Sequence, residues 1–406
     1  MSTTDVAGPL RGFRVIDLTH MLAGPYATMM LADFGADVIK IESQAGEFIR
    51  RSGPFLSDDD AYGGYFASVN RNKASVCLDL KAPEGREVFL ELVAGSDALV
   101  ENFRAGVMER LGFSYEALRE VNPRLVYGCI RGFGDPRTGV SPYVDWPAYD
   151  VIAQAMGGLM GITGDANGAP TKTGPGLGDI FPASLLINGV LAAMLDAQRS
   201  GRGRFVDVAM YDAIVSLCER LVYQHSITGA VPSRIGNAHP FFAPFGVYRA
   251  EDGWIAIAAP NDDLWARLAA IMGRQDLVGD HPFARSANRT ASRDEVVGIV
   301  SDWAARHTID VLKELLGAQI PFGPVQTVDQ IVADEHVAAR RMVRAVDHPG
   351  SGARISIAGQ PVKFGGPPEA EPRSAPLLGA DTNRVLSDLG YSADAIDSLR
   401  EEGVTR

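Results

Sequence analysis

The alternation of apolar and polar positions in residues 13–43 predicts the first structural unit of the chain. Val15–Leu18 and Val38–Ile41 are short apolar runs, and the segment between them has a helical pattern that begins near Pro25 and stops at Gly35. Proline in the first helical turn and glycine after the last turn are typical helix boundaries. The order strand, helix, strand therefore predicts a βαβ unit.

The same alternation continues along the chain. Strand patterns occupy residues 75–80, 98–103 and 125–133, and helical patterns occupy residues 83–96 and 115–120. Strands that alternate with helices form parallel sheets with helices on both faces. The first part of the chain is therefore predicted to be a large α/β domain with a Rossmann-like, doubly wound parallel sheet.

The pattern changes after a long helical segment over residues 182–199. Residues 246–260 predict a β-hairpin with its turn at Asp252-Gly253. Helical patterns follow this hairpin, which indicates a second, smaller α+β domain. The predicted division is a large domain over 1–205, a linker helix over 206–224, a small domain over 225–340 and a C-terminal segment over 341–406.

Composition narrows the class of protein. The chain has 406 residues, 46% of them hydrophobic, which is enough for a large core. Three widely spaced cysteines do not fit a disulfide framework, and a net charge of -12 without a long basic run argues against a nucleic-acid partner. The most apolar windows, such as residues 185–195, are shorter than a bilayer span. We expect a cytoplasmic protein that neither enters a membrane nor binds nucleic acid.

The common cofactor motifs do not occur. The loop after the first strand is THMLAGP rather than G-x-G-x-x-G, which argues against NAD or FAD. No lysine follows a glycine, so the phosphate-binding loop G-x-x-x-x-G-K-[ST] is excluded. The seven histidines lack ligand spacing, so we expect no metal.

What remains is carboxylate chemistry at the stretch GPGLGDIFPAS, residues 174–184. Asp179 follows three glycines, which would let backbone N–H groups approach a developing oxyanion closely. A helix is expected to begin two or three residues later, at Pro182. Aspartate is also a favoured N-cap, so local spacing leaves two roles open for Asp179, a helix cap or a nucleophile.

Other candidates have equally plausible structural roles. His20 is expected at the carboxyl end of the first strand, where open α/β sheets bind ligands, but it would also suit a turn. Tyr149 lies among apolar residues and is as well explained by packing. Residues 236–240, GNAHP, have the composition of a turn or a mobile loop. Arg104 suits a phosphate or a solvated surface.

Taken together, several ordered stretches resemble the family III CoA-transferases, which include formyl-CoA transferase and the carnitine-related enzymes. The resemblance extends over nearly the whole chain. The matching stretches are VIDLTHMLAGPYATMMLADFGADVIKIE, NRNKASVCLDL, ENFRAGVMERLGF, AYDVIAQAMGGLMGITG, GLGDIFPAS, SGRGRFVDVAMYDA, GNAHP, IPFGPV and APLLGADT.

The resemblance implies that Asp179 is the nucleophile, with Tyr149 beside it and Gly178 leaving room for a thioester to approach. The carboxylate would form a mixed anhydride and then an aspartyl-CoA thioester, so that CoA thioester is a substrate, and neither a tightly bound cofactor nor a metal is needed. On this view Gly178→Val should cripple transfer and leave the fold largely intact.

The resemblance also implies a CoA site at the carboxyl ends of the strands of the large domain. The implied CoA contacts are His20, Met21, Leu22, Ala23, Lys73, Asn102, Phe103, Arg104, Arg110, Leu111 and Met210, with Lys73 offering charge to the phosphates. Gly236, Asn237 and His239 match a loop that closes over the intermediates. Family members are homodimers of interlocked chains, and residues 341–406 would return to complete the large domain.

Two departures from the family pattern bear on the substrate. Formyl-CoA transferase has glutamine in place of Leu22 and a longer glycine-rich loop in place of GNAHP, which argues against formate and oxalate. A branched, unsaturated or dicarboxylic acid is expected instead.

Two alternatives to transfer remain. One is an isomerase of the α-methylacyl-CoA racemase type, although Tyr149 stands where that enzyme has its basic histidine, and tyrosine with an ordinary pKa is a poor base. The other is a non-catalytic acyl-CoA binder, for which a retained Asp179 has no purpose.

Overall fold

The strands and helices alternate along the first half of the chain as the apolar pattern predicts. A computed structural model describes residues 8–57, 61–349, 351–365 and 370–406, so residues 1–7 of the first predicted domain and 366–369 of the C-terminal segment lie outside the described residues. The strands are β1 Arg14–Asp17, β2 Asp37–Glu42, β3 Ala74–Cys77, β4 Ala98–Glu101, β5 Val126–Arg131, β6 Phe205–Ala209, β7 Phe245–Arg249, β8 Trp254–Ala258, β9 Phe322–Pro324, β10 Val343–His348 and β11 Ala353–Ala358.

The helices connect these strands and follow them. They are α1 Ala23–Asp33, α2 Gly64–Val69, α3 Pro83–Ala94, α4 Val107–Arg110, α5 Tyr115–Val121, α6 Asp150–Met156, α7 Leu159–Ile162, α8 Leu177–Ser200, α9 Met210–Leu217, α10 Glu219–Thr228, α11 Asp262–Ile271, α12 Ser286–Ala291, α13 Arg293–Ala304, α14 Ile309–Leu316, α15 Val328–Ala333, α16 Glu335–Ala339, α17 Thr382–Asp388 and α18 Ala393–Glu401.

The chain divides into two compact units. The first comprises residues up to Leu159, Thr173–Tyr223 and His336–Arg406, and the second comprises Met160–Lys172 and Gln224–Glu335. The C-terminal segment therefore packs with the start of the chain, as when the Thr382 hydroxyl accepts a hydrogen bond from the Cys77 amide at 3.1 Å.

A six-stranded parallel sheet forms the centre of the first unit. Its order is β3-β2-β1-β4-β5-β6, the Rossmann order, so the predicted doubly wound sheet is confirmed. The chain reverses direction across the sheet between β1 and β4, and the carboxyl edge at this switch point is where such sheets bind ligands. β10 and β11 form a separate antiparallel hairpin.

The edge strand β6 differs from the sequence-based expectation. Residues 206–209 belong to this strand, whereas a linker helix was predicted over 206–224. The alternating valines of FVDVA are typical of a strand. The helical part begins only at Met210.

The second unit has a three-stranded antiparallel sheet, β7-β8-β9, packed against helices. Arg249 pairs with Trp254 across the predicted hairpin turn. Its core includes Trp265, Leu268, Val300 and Leu312, which are completely buried. This is the predicted α+β arrangement.

The helix α8 lies against the sheet of the first unit and begins earlier than predicted. It has 24 residues and, by length and composition alone, could cross a membrane, which corrects the expectation that the most apolar windows are shorter than a bilayer span. However, a Cβ on Gly128 of β5 would lie 2.9 Å from the Val190 side chain and 3.3 Å from that of Leu186. Buried apolar residues of α8, including Leu186 and Val190, thus cover the sheet.

The packing of α8 gives a first prediction. Leu186 is completely buried, so Leu186→Ala should lower the free energy of unfolding by about 2–5 kcal/mol. Gln198→Ala, on the exposed face of the same helix, should change it by less than about 0.5 kcal/mol. Urea unfolding followed by circular dichroism measures both changes, and equal effects of the two variants would contradict the packing described here.

Candidate functional site

The loop after β1, residues 18–22, lies at the carboxyl edge of the sheet and is held by buried charged side chains. The Asp17 carboxylate accepts hydrogen bonds from both the amide and the hydroxyl of Thr19. The Lys40 ammonium donates to the Thr19 carbonyl at 2.6 Å. Burial opposes ionisation of Asp17, but Lys40 and Lys73 beside it hold the pKa of its carboxyl well below the ordinary value.

His20 is held across the switch point between β1 and β4. The Asn102 side chain follows β4, accepts from the His20 amide and donates to the His20 carbonyl, both at 2.8 Å. The His20 ring meets Phe103 edge to face with ring centroids 5.2 Å apart. Burial and the charge of Lys40 lower the pKa of His20, which favours the neutral imidazole. The structure therefore brings together His20, Asn102 and Phe103, three of the residues that the resemblance implies as CoA contacts.

Met21 has a left-handed backbone, with φ of 68°, which is unusual for a residue other than glycine. Its amide donates to Glu47 Oε2 at 3.0 Å. Glu47 Oε1 lies 2.8 Å from the Lys40 ammonium, and both side chains of this ion pair are completely buried. The ion pair thus holds the turn that leads to Leu22.

Asp179 lies in the first turn of α8, because this helix begins at Leu177 and not at Pro182. The N-cap residue Gly176 has no side chain with which to cap the helix. The cap comes instead from a neighbouring helix, since Asp150 Oδ1 accepts from the Gly178 amide at 2.8 Å. Pro182 is inside the helix. The helix was predicted to begin there because proline is common in the first turn of a helix.

Gly178 makes a close backbone contact that the sequence-based prediction did not include. A Cβ at this position would lie 2.5 Å from the Asp150 carbonyl oxygen and 3.1 Å from the Ala153 Cβ. Gly178 therefore permits contact between the backbones of α8 and α6. The expectation that Gly178→Val leaves the fold largely intact is not supported by this contact, because the added atoms would meet backbone and not open space.

The approach to α8 is fixed by a chain of hydrogen bonds. Gln154 Nε2 donates to Asp150 Oδ1 at 2.8 Å, while Gln154 Oε1 accepts from the amide and the hydroxyl of Thr173 at 3.0 and 3.1 Å. Gln154 is completely buried. The segment before Asp179 is therefore anchored to α6 at both of its ends.

The loop after β1 and the start of α8 meet above Gly176. A Cβ on Gly176 would lie 3.0 Å from Leu22 Cδ2, 3.6 Å from Asp179 Oδ2 and 3.8 Å from Asp150 Cγ. The Leu22 side chain and the carboxylates of Asp179 and Asp150 thus all lie close to Gly176. Burial, together with the negative charges of Asp179, Glu47 and Asp150, raises the pKa of Tyr65 to about 12, so this phenol keeps its proton.

Tyr149 is the N-cap residue of α6, directly before Asp150. Tyr149 is 60% exposed, so it is not packed in the core, as the structural alternative for this residue required. Tyr149 therefore lies at the N-terminus of α6, next to Asp150, whose side chain caps α8.

The prediction that Lys73 offers its charge to phosphates is wrong. Its ammonium is buried and donates to Asp17 Oδ2, the Pro25 carbonyl and Asn70 Oδ1 at 2.8–3.0 Å. Burial lowers the pKa of Lys73 to about 8. The ammonium donates all three of its protons to groups inside the protein, so Lys73 stabilises the structure around the loop after β1.

The remaining predicted contacts differ in exposure. Arg104 and Arg110 follow β4 and are exposed, whereas Leu111 is half-buried. Ala23 and Met210 are buried at the first positions of α1 and α9. Two arginines at this edge are therefore accessible to an anionic ligand.

The predicted loop of Gly236, Asn237 and His239 belongs to the second unit. The Gly236 amide donates to the Gly164 carbonyl at 3.0 Å. The His239 ring stacks on Phe242 with centroids 4.8 Å apart. Asn237 and His239 line a cavity of about 400 Å³ together with the ends of β7 and β8.

Within the described residues, no group of three histidine, cysteine, aspartate or glutamate side chains is arranged to hold a metal ion.

The comparison with known sequences decides the family. Residues 10–382 match CoA-transferase family III. The chain belongs to CoA-transferase family III. It is a CoA-transferase, and it is 49% identical over 396 residues to the succinyl-CoA:mesaconate CoA-transferase of Haloarcula hispanica, covering 94% of this chain and 100% of that one. It is 39% identical to the acetyl-CoA:oxalate CoA-transferase of Acetobacter aceti, covering 91% and 95% of the two chains.

Solved structures of similar proteins agree with the fold of this CoA-transferase. A CaiB/BaiF family protein from Brucella suis matches with a TM-score of 0.80 and 32% identity, covering 94% of this chain and 99% of that one. Rv3272 from Mycobacterium tuberculosis matches with a TM-score of 0.82 and 29% identity, covering 93% and 99%.

Sequence reasoning missed four residues of this site, namely Glu47, Tyr65, Asp150 and Gln154. The i,i+4 spacing of Asp150 and Gln154 next to Tyr149 was an available signal for a helix face directed at the site. Glu47 and Tyr65 carry no local signal, because their contacts are with residues distant in the chain.

The contact at Gly178 gives a second prediction. Gly178→Ala should destabilise the start of α8 by about 1–3 kcal/mol and lower the transfer rate, because the new Cβ meets the Asp150 backbone. Gly174→Ala is the matched control, since a Cβ there meets nothing within 4 Å. Thermal unfolding and transfer rates measure both effects. A Gly178→Ala protein as stable and active as Gly174→Ala would contradict the close contact.

Proposed function

We propose that this CoA-transferase moves CoA from an acyl-CoA thioester to a free dicarboxylic acid through covalent intermediates on Asp179. The observation that carries the proposal is the position of Asp179, in the first turn of α8, where the loop after β1 brings Leu22 alongside it. Relatives named as CoA-transferases favour transfer over the racemase and the non-catalytic binder.

The first half of the reaction stores the energy of the thioester on the protein. The Asp179 carboxylate attacks the thioester carbonyl, the C–S bond breaks, and the CoA thiolate leaves behind a mixed anhydride. The thiolate then attacks the Asp179 acyl carbon, which releases the donor acid as its carboxylate and forms an aspartyl-CoA thioester.

The second half repeats these steps with the acceptor. Its carboxylate attacks the aspartyl thioester, thiolate leaves, and a new anhydride forms. The thiolate attacks the acceptor's acyl carbon, which gives the new acyl-CoA and restores the Asp179 carboxylate. The reaction begins with an ionised carboxylate, and the first turn of a helix favours this form because the N-terminal end of the helix dipole is positive.

The identity of the acid is inferred from the relatives and from Leu22. Relatives with 49% and 47% identity are named for succinyl-CoA and mesaconate, and another with 37% identity for succinate and glutarate. Leu22 presents an apolar side chain beside Asp179, which suits the carbon skeleton of a four- or five-carbon dicarboxylic acid. Oxalate has no such skeleton.

The CoA moiety is proposed to lie at the carboxyl edge of the sheet, over His20 and Asn102. Arg104 and Arg110 are the exposed cations that would face its phosphates, in place of Lys73. The homodimer of interlocked chains and the cytoplasmic location stay predictions.

Covalent trapping tests the nucleophile. Incubation with succinyl-CoA and hydroxylamine should convert Asp179 to a hydroxamate, because hydroxylamine intercepts the anhydride or the aspartyl thioester, and peptide mass spectrometry should locate the adduct. Asp179→Asn should give no adduct. Asp196→Asn, on the same helix and paired with Arg204 at the surface, should be trapped like the wild type. Deuterium incorporation at the α-carbon without an adduct would indicate a racemase instead.

A panel of acceptor acids tests the substrate class. With succinyl-CoA as donor, kcat/KM for mesaconate and glutarate should exceed that for formate and oxalate by about 10-fold or more, since each buried methylene contributes about 10-fold or more to discrimination. Leu22→Gln should lower this ratio. A higher kcat/KM for oxalate than for mesaconate in the wild type would contradict the dicarboxylate proposal.

A further inference from the structure

The backbones of the three residues before Leu22 are held by side chains from different elements. Asp17 and Lys40 hold Thr19, Asn102 holds His20, and Glu47 holds the Met21 amide. Of these three residues, only Met21, which is held by Glu47, has a left-handed backbone. Glu47 therefore holds the one position of this turn that the chain would not readily adopt by itself.

We propose that Glu47 is a positioning residue of the transfer reaction, whose carboxylate holds Met21 in its left-handed conformation and thereby places Leu22 beside Asp179. This inference rests on the proposed role of Asp179. It assigns no contact between Glu47 and the substrate.

The geometry of the ion pair explains why glutamate suits this place. Glu47 Oε1 faces the Lys40 ammonium at 2.8 Å, so Oε2 is left to accept from the Met21 amide at 3.0 Å. The Glu47 amide donates to Glu42 Oε1 at 3.1 Å, which fixes the backbone that carries the side chain. Lys40 also donates to the Thr19 carbonyl. One buried ion pair thus holds the turn at both of its ends.

The connection from this turn to Asp179 is short. Leu22 directly follows Met21, and its Cδ2 and Asp179 Oδ2 both lie within 4 Å of the Cβ position on Gly176. A rotation of the peptide at Met21 would move the Leu22 side chain away from this point. A displacement of about 1 Å at a reacting centre can reduce a rate about 100-fold.

The experiment compares two variants that differ only in the acceptor for the Met21 amide. Lys40→Met/Glu47→Gln and Lys40→Met/Glu47→Leu both remove the buried ion pair, but the glutamine keeps an oxygen that the leucine lacks. The leucine variant should have a kcat about 20-fold lower than the glutamine variant, and hydroxamate formation at Asp179 should slow in parallel. The melting temperatures of the two variants are compared to separate misplacement from unfolding.

Relief of the backbone strain at Met21 separates a positioning role of Glu47 from a merely structural one, because a structural role would not respond to it. Glycine adopts a left-handed backbone without a supporting hydrogen bond. Adding Met21→Gly to the leucine variant should therefore raise its kcat about 5-fold, and adding it to the glutamine variant should give no gain. If the Lys40→Met proteins do not fold, Glu47→Asp, whose shorter side chain cannot reach both partners, is compared with Glu47→Asp/Met21→Gly in the same way.

The outcomes separate this inference from the proposed nucleophile. If wild-type protein forms no adduct at Asp179, the proposed function fails. If wild type is trapped and the leucine and glutamine variants react equally fast, or if Met21→Gly raises neither kcat, the positioning role of Glu47 is overturned.

Discussion

The buried carboxylate of Asp17, at the end of the first strand, is the contact on which the candidate site depends. It accepts from the Thr19 amide and hydroxyl, from the Thr28 hydroxyl on α1 and from the Lys73 ammonium. A strand end, the turn after it, the following helix and the segment before β3 are therefore joined at one group. Removing one partner of such a buried pair leaves an uncompensated charge, which is strongly unfavourable, so these elements are fixed together.

This constraint explains why a loop without the dinucleotide glycines has a defined shape. In a G-x-G-x-x-G turn, glycine provides the conformational freedom that the tight turn requires. Here the turn residue is Met21, and its conformation is supported from outside by Glu47. Side chains from β2, from the segment after it and from the end of β4 hold this loop by hydrogen bonds, in place of the conformational freedom that glycine gives a dinucleotide-binding turn.

The fold was predictable because its signals are local, whereas the site was only partly predictable. The apolar runs at Val15–Leu18 and Val38–Ile41 and the Asp252-Gly253 turn depend on neighbouring residues, and they were located to within one or two positions. The start of α8 was misplaced because its cap, Asp150, comes from another helix. Lys73 was misassigned because a lone lysine has the same local appearance whether it faces solvent or a buried aspartate. Burial separates the two cases, and it is a property of the tertiary structure.

The two supports of the site share one chemical feature, which bears on the proposed nucleophile, Asp179. The Glu47 carboxylate accepts from the Met21 amide, and the Asp150 carboxylate accepts from the Gly178 amide. A carboxylate therefore fixes the backbone of each of the two segments that meet near Asp179. The charge of Glu47 is balanced by the Lys40 ammonium, and the N-terminal end of α8 places a partial positive charge close to Asp179. In the proposed reaction, acylation of Asp179 would replace its charge by a neutral acyl group and move the charge to the departing thiolate. Supports that fix both segments before substrate arrives fit this proposal, because the rate of such an attack depends on the geometry in which the carboxylate and the thioester meet.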